Sequence, residues 1–394
     1  MSVTAPDGWL AAGVRAGTKA SGKPDLALVL SDRPATVAGA FTTNRVVGAP
    51  LIDARPKVAR GTARCFVVSA GVANVATGQR GLHDTARMAA AAADACGTSA
   101  DQVLVSCTGV IGEYLPIERV EAGIKEAASA LARDGGQAAA AAILTTDRHP
   151  KTASRTVRVG DGAVTIGAMA KGAGMIAPRM TVPQATMLCY LTTDAAAEAA
   201  WLREVLADGI EDTFNAITID GCMSTSDTVL MLANGASGID ATGSSAFADA
   251  AREVMAGLAY AVVADGEGAT RVIRCRVTGA SSVSDAKAIA REIAASQLVR
   301  CAIGGGDPNW GRIAQAAGQA NAVLDQEAMR ITVAGVHVAT GGGASGAEAE
   351  AAAAMAGATE VVVEVDAGAG AASAEVLTCD LTESYVRFNT EYTT

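Results

Sequence analysis

Apolar positions along the chain alternate between unbroken runs and helical spacing. The runs at 25–30 (Asp-Leu-Ala-Leu-Val-Leu) and 64–69 (Arg-Cys-Phe-Val-Val-Ser) read as buried strands, and the Ala-rich segment 84–96 reads as helix. From Pro116, residues Ile117, Val120, Ile124, Ala128 and Leu131 recur three and four apart, which predicts an amphipathic helix ended by Gly135-Gly136. Glu121 and Lys125 would form a supporting i,i+4 pair on its polar side. Residues 155–159 and 163–167 predict a hairpin around the turn dipeptide Asp161-Gly162.

The second half continues the alternation. Helices are predicted at 196–207, 245–263, Asp285–Arg300 (capped by Ser284) and 347–357. Strands are predicted at 227–233, 272–278, 330–334, 336–339 and 360–365, with 366–372 a Gly/Ala loop. This mixture, without a fixed repeat, points to an α+β or layered α/β body of mixed sheets with packing helices.

Composition narrows the picture. Half of the 394 residues are hydrophobic but aromatics are only 3%, so the core must rely on small side chains and close backbone approach. No uncharged apolar run reaches the roughly 18 residues of a spanning helix. The first ten residues lack the basic and apolar regions of a signal peptide, so a cytoplasmic protein with no membrane partner is expected. A net charge of −10 argues against nucleic acid as the main partner, since phosphate binding needs clustered cations. The eight cysteines contain no C-x-x-C pair, so neither a metal site nor a disulfide framework is expected, and buried free thiols are.

Two motifs fail. Gly17-Thr-Lys-Ala-Ser-Gly22-Lys23 nearly completes a phosphate-binding loop, but Pro24 stands where a magnesium-ligating hydroxyl belongs, and no apolar strand precedes it. His83, His149 and His337 are scattered and show neither metal spacing nor a nucleophile elbow.

The richest chemistry lies in Lys171-Gly-Ala-Gly-Met-Ile-Ala-Pro and Ala185-Thr186-Met187-Leu188. Thr186 alone is an ordinary strand threonine; the Gly-rich approach beside a lysine is what sets it apart. These segments, with Leu191-Thr-Thr-Asp-Ala195, resemble the cleavage region of the ornithine acetyltransferase (glutamate N-acetyltransferase) family. The resemblance extends to Ala40-Phe-Thr-Thr-Asn44, Cys107-Thr-Gly-Val-Ile-Gly112, Thr145-Thr-Asp147, Asp220-Gly221, Glu267-Gly268, Asp307-Pro-Asn-Trp-Gly-Arg312 and the tail Asn389-Thr-Glu-Tyr-Thr-Thr394.

That resemblance implies self-cleavage between Ala185 and Thr186, giving an α chain (1–185) and a β chain (186–394) that associate as a heterotetramer or larger. Thr186 would be the nucleophile, and its freed α-amine, with a reference pKa of about 7.7–8.0, the base. The resemblance further implies an oxyanion hole from the Thr108 hydroxyl and the Gly109 N–H. Substrate contacts would come from Thr145, Lys171, Glu267, Asn389 and Thr394. The implied reaction moves acetyl from N-acetylornithine to glutamate through an acetyl ester on Thr186. No metal or resident cofactor is expected, and acetyl-CoA is a candidate second donor.

Three departures from the family pattern bear on this expectation: Thr181-Val-Pro-Gln184 is interposed before Ala185, segment 69–78 differs, and Ser226 stands where asparagine is usual. They leave open a relative that uses another amine or acyl donor, a non-catalytic uncleaved relative, and Thr181 as a rival nucleophile.

Overall fold

The computed structural model describes residues 2–177 and 187–391. The first span contains β1 (Trp9–Val14), β2 (Leu26–Phe41), α1 (Ala49–Ala59), β3 (Thr62–Val72), α2 (Gly78–Cys96) and β4 (Val103–Val110). It continues with α3 (Ile117–Ser129), α4 (Gly136–Ala142), β5 (Lys151–Val159) and β6 (Gly162–Lys171). The second span begins with β7 (Leu188–Thr193), α5 (Ala199–Glu211), β8 (Thr228–Ala233), α6 (Ser245–Ala264), β9 (Val272–Ala280), α7 (Val283–Ala295) and α8 (Gln297–Gly304). It ends with α9 (Trp310–Gln319), β10 (Arg330–Val333), β11 (Val336–Thr340), β12 (Gly343–Ala344), α10 (Glu348–Met355), β13 (Glu360–Asp366), β14 (Ala372–Cys379) and α11 (Glu383–Glu391).

Two mixed sheets result. The larger runs β4-β3-β2-β8-β7-β6-β5, with β1 also on β2. Within it β3/β4 and β7/β8 are parallel and the other pairs antiparallel. The long β2 carries a register shift between Leu30 and Ala35; its first part pairs with β1 and β3, its last part with β8. That irregularity lets the sheet turn back on itself. The Phe66 ring on β3 stacks on Tyr190 of β7 with centroids 4.5 Å apart, although two strands separate β3 from β7 in the sheet.

Three cores follow from this curl. One lies between the two arms of the sheet, with Trp9, Phe41, Phe66, Tyr190 and the small residues of α4. A second lies under α2 and α3, and a third under α5 and α6. Strands such as β7 are buried on both faces, which is why they read as continuous apolar runs. The smaller sheet, β12-β11-β10-β13-β9-β14, has its own core with α7, α9 and α10. The division between sheets does not follow the expected chain break: β7 and β8, beyond residue 186, lie between β2 and β6 of the first span.

Most predicted elements are present, and several boundaries differ. The helix after Pro116 stops at Ser129, and Gly136 opens a new helix rather than ending the old one. Glu121 pairs not with Lys125 but with Arg87 of α2, at 2.7 Å. The helix predicted from Asp285 to Arg300 starts earlier, capped by Ser282, and breaks where Ser296 caps α8. The hairpin forms with Val159 opposite Gly162, so its two-residue turn is Gly160-Asp161.

The phosphate-loop look-alike is a nest filled by the chain's own carboxylate. Backbone N–H groups of Ala16, Gly17, Thr18 and Lys19 all donate to Asp25, at 2.6–3.3 Å. All eight cysteines are free; five are buried and Cys96 is half-buried, but Cys222 and Cys301 are exposed, against expectation. Cys222 lies in the loop before β8, and Cys301 is on the solvent face of α8. Among the described residues no helix is long and apolar enough to cross a membrane.

Candidate active site

Thr108 and Gly109 stand near the end of β4, where Gly109 is in register with Gly71 of the parallel β3. Gly109 has φ +132°, and a Cβ there would collide with the Gly71 carbonyl. Only glycine lets the two strand ends approach this closely.

Lys171 is the last residue of β6 and is buried. Its ammonium donates to the Thr145 hydroxyl at 2.7 Å and to the Thr108 hydroxyl at 3.3 Å. Thr145 lies in the loop after α4. Behind them the Asp147 side chain is fully buried and lies 3.9 Å from the Lys171 ammonium. Asp147 accepts from Lys151 at 2.7 Å and from the backbone N–H groups of Gly172 and Thr145, at 2.6 and 3.1 Å. Burial acts to raise its carboxyl, but Lys171, Lys151 and these donors prevail and hold it at about 2.

The Gly-rich loop after Lys171 is pinned by three carboxylates. Asp147 holds Gly172; Asp220 accepts from Met175 and Ile176 at 2.6 and 3.0 Å; and Glu267 lies over Gly174. Met175 sits at φ +55°, a left-handed conformation that the two bonds to Asp220 sustain. A Cβ on Gly174 would overlap the Glu267 carboxylate. Burial raises the Asp220 carboxyl, and the nearby Glu267 adds to this, against the pull of three N–H donors.

Glu267 follows the end of α6, and its backbone N–H donates to Ala173 at 2.9 Å. α11 crosses here: Asn389 donates to Glu267 at 3.1 Å, and Thr382 donates to the Gly268 carbonyl at 2.7 Å. Burial, then Asp220, Cys222 and Glu267, push the Tyr385 phenol up to about 12.

These groups surround a cavity of about 240 Å³. Thr108, Gly109, Thr145, Lys171, Glu267 and Asn389 all line it, so every described residue among the expected site residues is brought together. Ala185, Thr186 and Thr394 lie outside the described residues, as does the interposed segment 181–184. Met187, the residue after Thr186, lines the cavity, as do Leu188 and, before the undescribed segment, Ile176. Ser226, one of the three departures, is also in its wall, as is Ala73 from the divergent 69–78 segment. None of the three histidines lines it, and no cluster able to hold a metal occurs among the described residues.

Sequence reasoning gave no role to Asp147, Asp220 or Tyr385. The first two stood inside quoted motifs; Tyr385 carried no signal beyond its place near the tail.

The profile of the ArgJ family matches residues 10–394. A bifunctional arginine-biosynthesis protein ArgJ of Symbiobacterium thermophilum is 44% identical, the match covering 100% of this chain and 98% of that protein. ArgJ 1 of Streptomyces clavuligerus, also named as such a bifunctional protein, is 46% identical over 87% of this chain and 88% of its own. Among solved structures, ornithine acetyltransferase of Mycobacterium tuberculosis in complex with ornithine is 41% identical, with a TM-score of 0.44, covering 46% of this chain and 96% of the solved one. With a family profile and relatives of this identity running along nearly its whole length, the chain belongs to the ArgJ family.

Proposed function

We propose that this protein is an acetyltransferase that carries acetyl from N-acetylornithine to glutamate, acting in the cytoplasm after cutting itself between Ala185 and Thr186. The observation that carries this reading is the convergence of Thr108, Gly109, Lys171 and Thr145 on one cavity whose wall includes Met187, one peptide bond from Thr186. In self-cleavage the Thr186 hydroxyl attacks the Ala185 carbonyl carbon. The peptide C–N bond breaks as the nitrogen takes the proton, and water then hydrolyses the resulting ester. This leaves a carboxylate on Ala185 and a free amine on Thr186.

In turnover, Thr186 Oγ attacks the acetyl carbonyl while its proton passes to the α-amine. The Thr108 hydroxyl and Gly109 N–H receive the developing oxyanion, each donor being worth roughly a hundred- to thousandfold in rate. The acetyl C–N bond breaks, and ornithine leaves with the proton. The glutamate amine then attacks the acetyl ester, which frees the Thr186 hydroxyl. Lys171 pairs with the substrate carboxylate, Thr145 with its polar backbone, and Glu267 with the free amino group, assisted by Asn389 and Thr394. Acetyl-CoA would enter as a second donor at the same ester-forming step. The α and β chains remain together and assemble further as a heterotetramer or larger.

The test is acetyl exchange. Purified, processed protein should make ornithine and N-acetylglutamate from N-acetylornithine and glutamate with no acetyl-CoA present. If it instead acylates only other amines, the reading gives way to a relative with a different substrate.

A further inference from the structure

Two contacts of opposite charge, Lys171 and Glu267, line the cavity, and each is backed by a buried carboxylate. Behind Lys171 is Asp147, which also holds the backbone of Thr145 and Gly172. Two residues before Glu267 is Asp265, the C-cap of α6, which accepts from the Arg148 backbone and side chain at 3.0 and 3.1 Å. Lys151, at the start of β5, joins the two. Its ammonium lies 2.7 Å from Asp147 and 2.6 Å from Asp265, and its side chain is 3% exposed. Lys151 does not line the cavity.

We infer that Lys151 is a positioning residue that sets the separation between Lys171 and Glu267, and so selects the length of the amino-acid chain whose carboxylate and free amine bind them. This rests on the proposed roles of Lys171 and Glu267 as substrate contacts.

The physical case begins with repulsion. Asp147 and Asp265 are nearly removed from water, so their repulsion is little screened; Lys171 and Arg148 each pair with one of them, and Lys151 pairs with both. One compact ammonium between them sets their distance through two hydrogen bonds. The Asp147 carboxylate is bonded to the backbone of Thr145 and Gly172, while Asp265 accepts from the backbone of Arg148 and His149 and stands two residues before Glu267. Gly172 and Thr145 follow Asp147. Glu267 follows Asp265, and its own N–H grips Ala173 next to Gly172. A change in the Asp147–Asp265 separation is therefore transmitted to both contacts. A lysine is a point charge with three donors, whereas arginine presents a planar fork on a longer head. Lys151→Arg keeps the charge but cannot hold both carboxylates at the same spacing.

The test compares three donors one methylene apart, the α-N-acetyl derivatives of 2,4-diaminobutyrate, ornithine and lysine, each with glutamate as acceptor. In Lys151→Arg the kcat/KM preference for the ornithine derivative over its neighbours should fall by about tenfold or more, on the scale one methylene commands, with the change carried by KM. Equal slowing of all three donors, with the preference unchanged, would overturn the inference. Should Lys151→Arg fail to fold or to be processed, Asp265→Asn removes one of the two ion pairs with little change in volume, and the same loss of preference is required of it. A wild-type enzyme inactive on all three donors would instead overturn the proposed function, and with it the spacing role. An unchanged preference in an active variant overturns the spacing role alone.

Discussion

Lys171 donates to the hydroxyl oxygen of Thr108 across 3.3 Å, from the end of one strand to the end of another 63 positions away. An ammonium can only donate, so the Thr108 oxygen is the acceptor and its own hydrogen is left for another partner. That is the orientation an oxyanion donor needs. Thr108→Val keeps the shape and removes the donor; kcat should fall about a hundred- to thousandfold with KM little changed. Steady-state kinetics on processed protein check this, and a loss of only a few-fold would remove Thr108 from the oxyanion hole.

Gly174 leaves no room for a side chain beneath Glu267. Gly174→Ala should push that carboxylate away from Asn389 and raise KM for N-acetylornithine about ten- to hundredfold, the scale of a small misplacement in a polar site. The KM measured for this donor decides it; an unchanged value means that Glu267 does not receive the substrate.

Two threonines compete for the nucleophile's role. Thr186 leads directly through Met187 into β7, whose register with β6 places Leu188 opposite Lys171. Thr181 is followed by Val182-Pro183, and proline removes a backbone donor. Thr186→Ala should remain a single chain, whereas Thr181→Ala should still be processed. N-terminal sequencing of the smaller product should read Thr-Met-Leu; a product beginning Thr-Val-Pro would move the cut by five residues.

Asp147 ties acid stability to the site. Its folded carboxyl is held at about 2, below the unfolded value of about 3.9. Its stabilising contribution is therefore complete above the unfolded value and lost as pH falls from about 4 through 2. In the uncut Thr186→Ala background, Asp147→Asn should lose about 3–5 kcal/mol at pH 7, because Lys151 and Lys171 lose a buried anion. The loss should shrink toward pH 2. Urea unfolding across this range measures it, and a loss independent of pH would show that the carboxylate charge is not what stabilises the fold.

Local pattern foretold much of the body. The hairpin of β5 and β6, the helix α6 and the strand β13 lie close to where periodicity puts them. The misjudged points are those that local pattern does not govern. Ser296 looks like one more small residue in an Ala-rich helix, yet its side chain accepts from Val299 and starts a new one. Glu121 had a partner four residues away and took Arg87 from another helix. At the site, the motifs named Thr108, Lys171, Thr145 and Glu267, but not what aligns them. The Lys151–Asp265 pair spans 114 positions, and nothing near either residue signals the other.

The placement of β7 and β8 between β2 and β6 gives self-cleavage a lasting effect. A cut at Ala185 would leave two polypeptides woven through one hydrogen-bonded ladder, each strand of the inner pair flanked on its outer side by a strand of the other product. They can part only by opening both seams and the core between them. Before the cut, folding is a first-order event within one chain; afterwards, reassembly is second-order and depends on concentration. The proposed cut would therefore act as a ratchet: the mature enzyme would keep an architecture reached as a single molecule, one that its separated pieces would have to find again by collision.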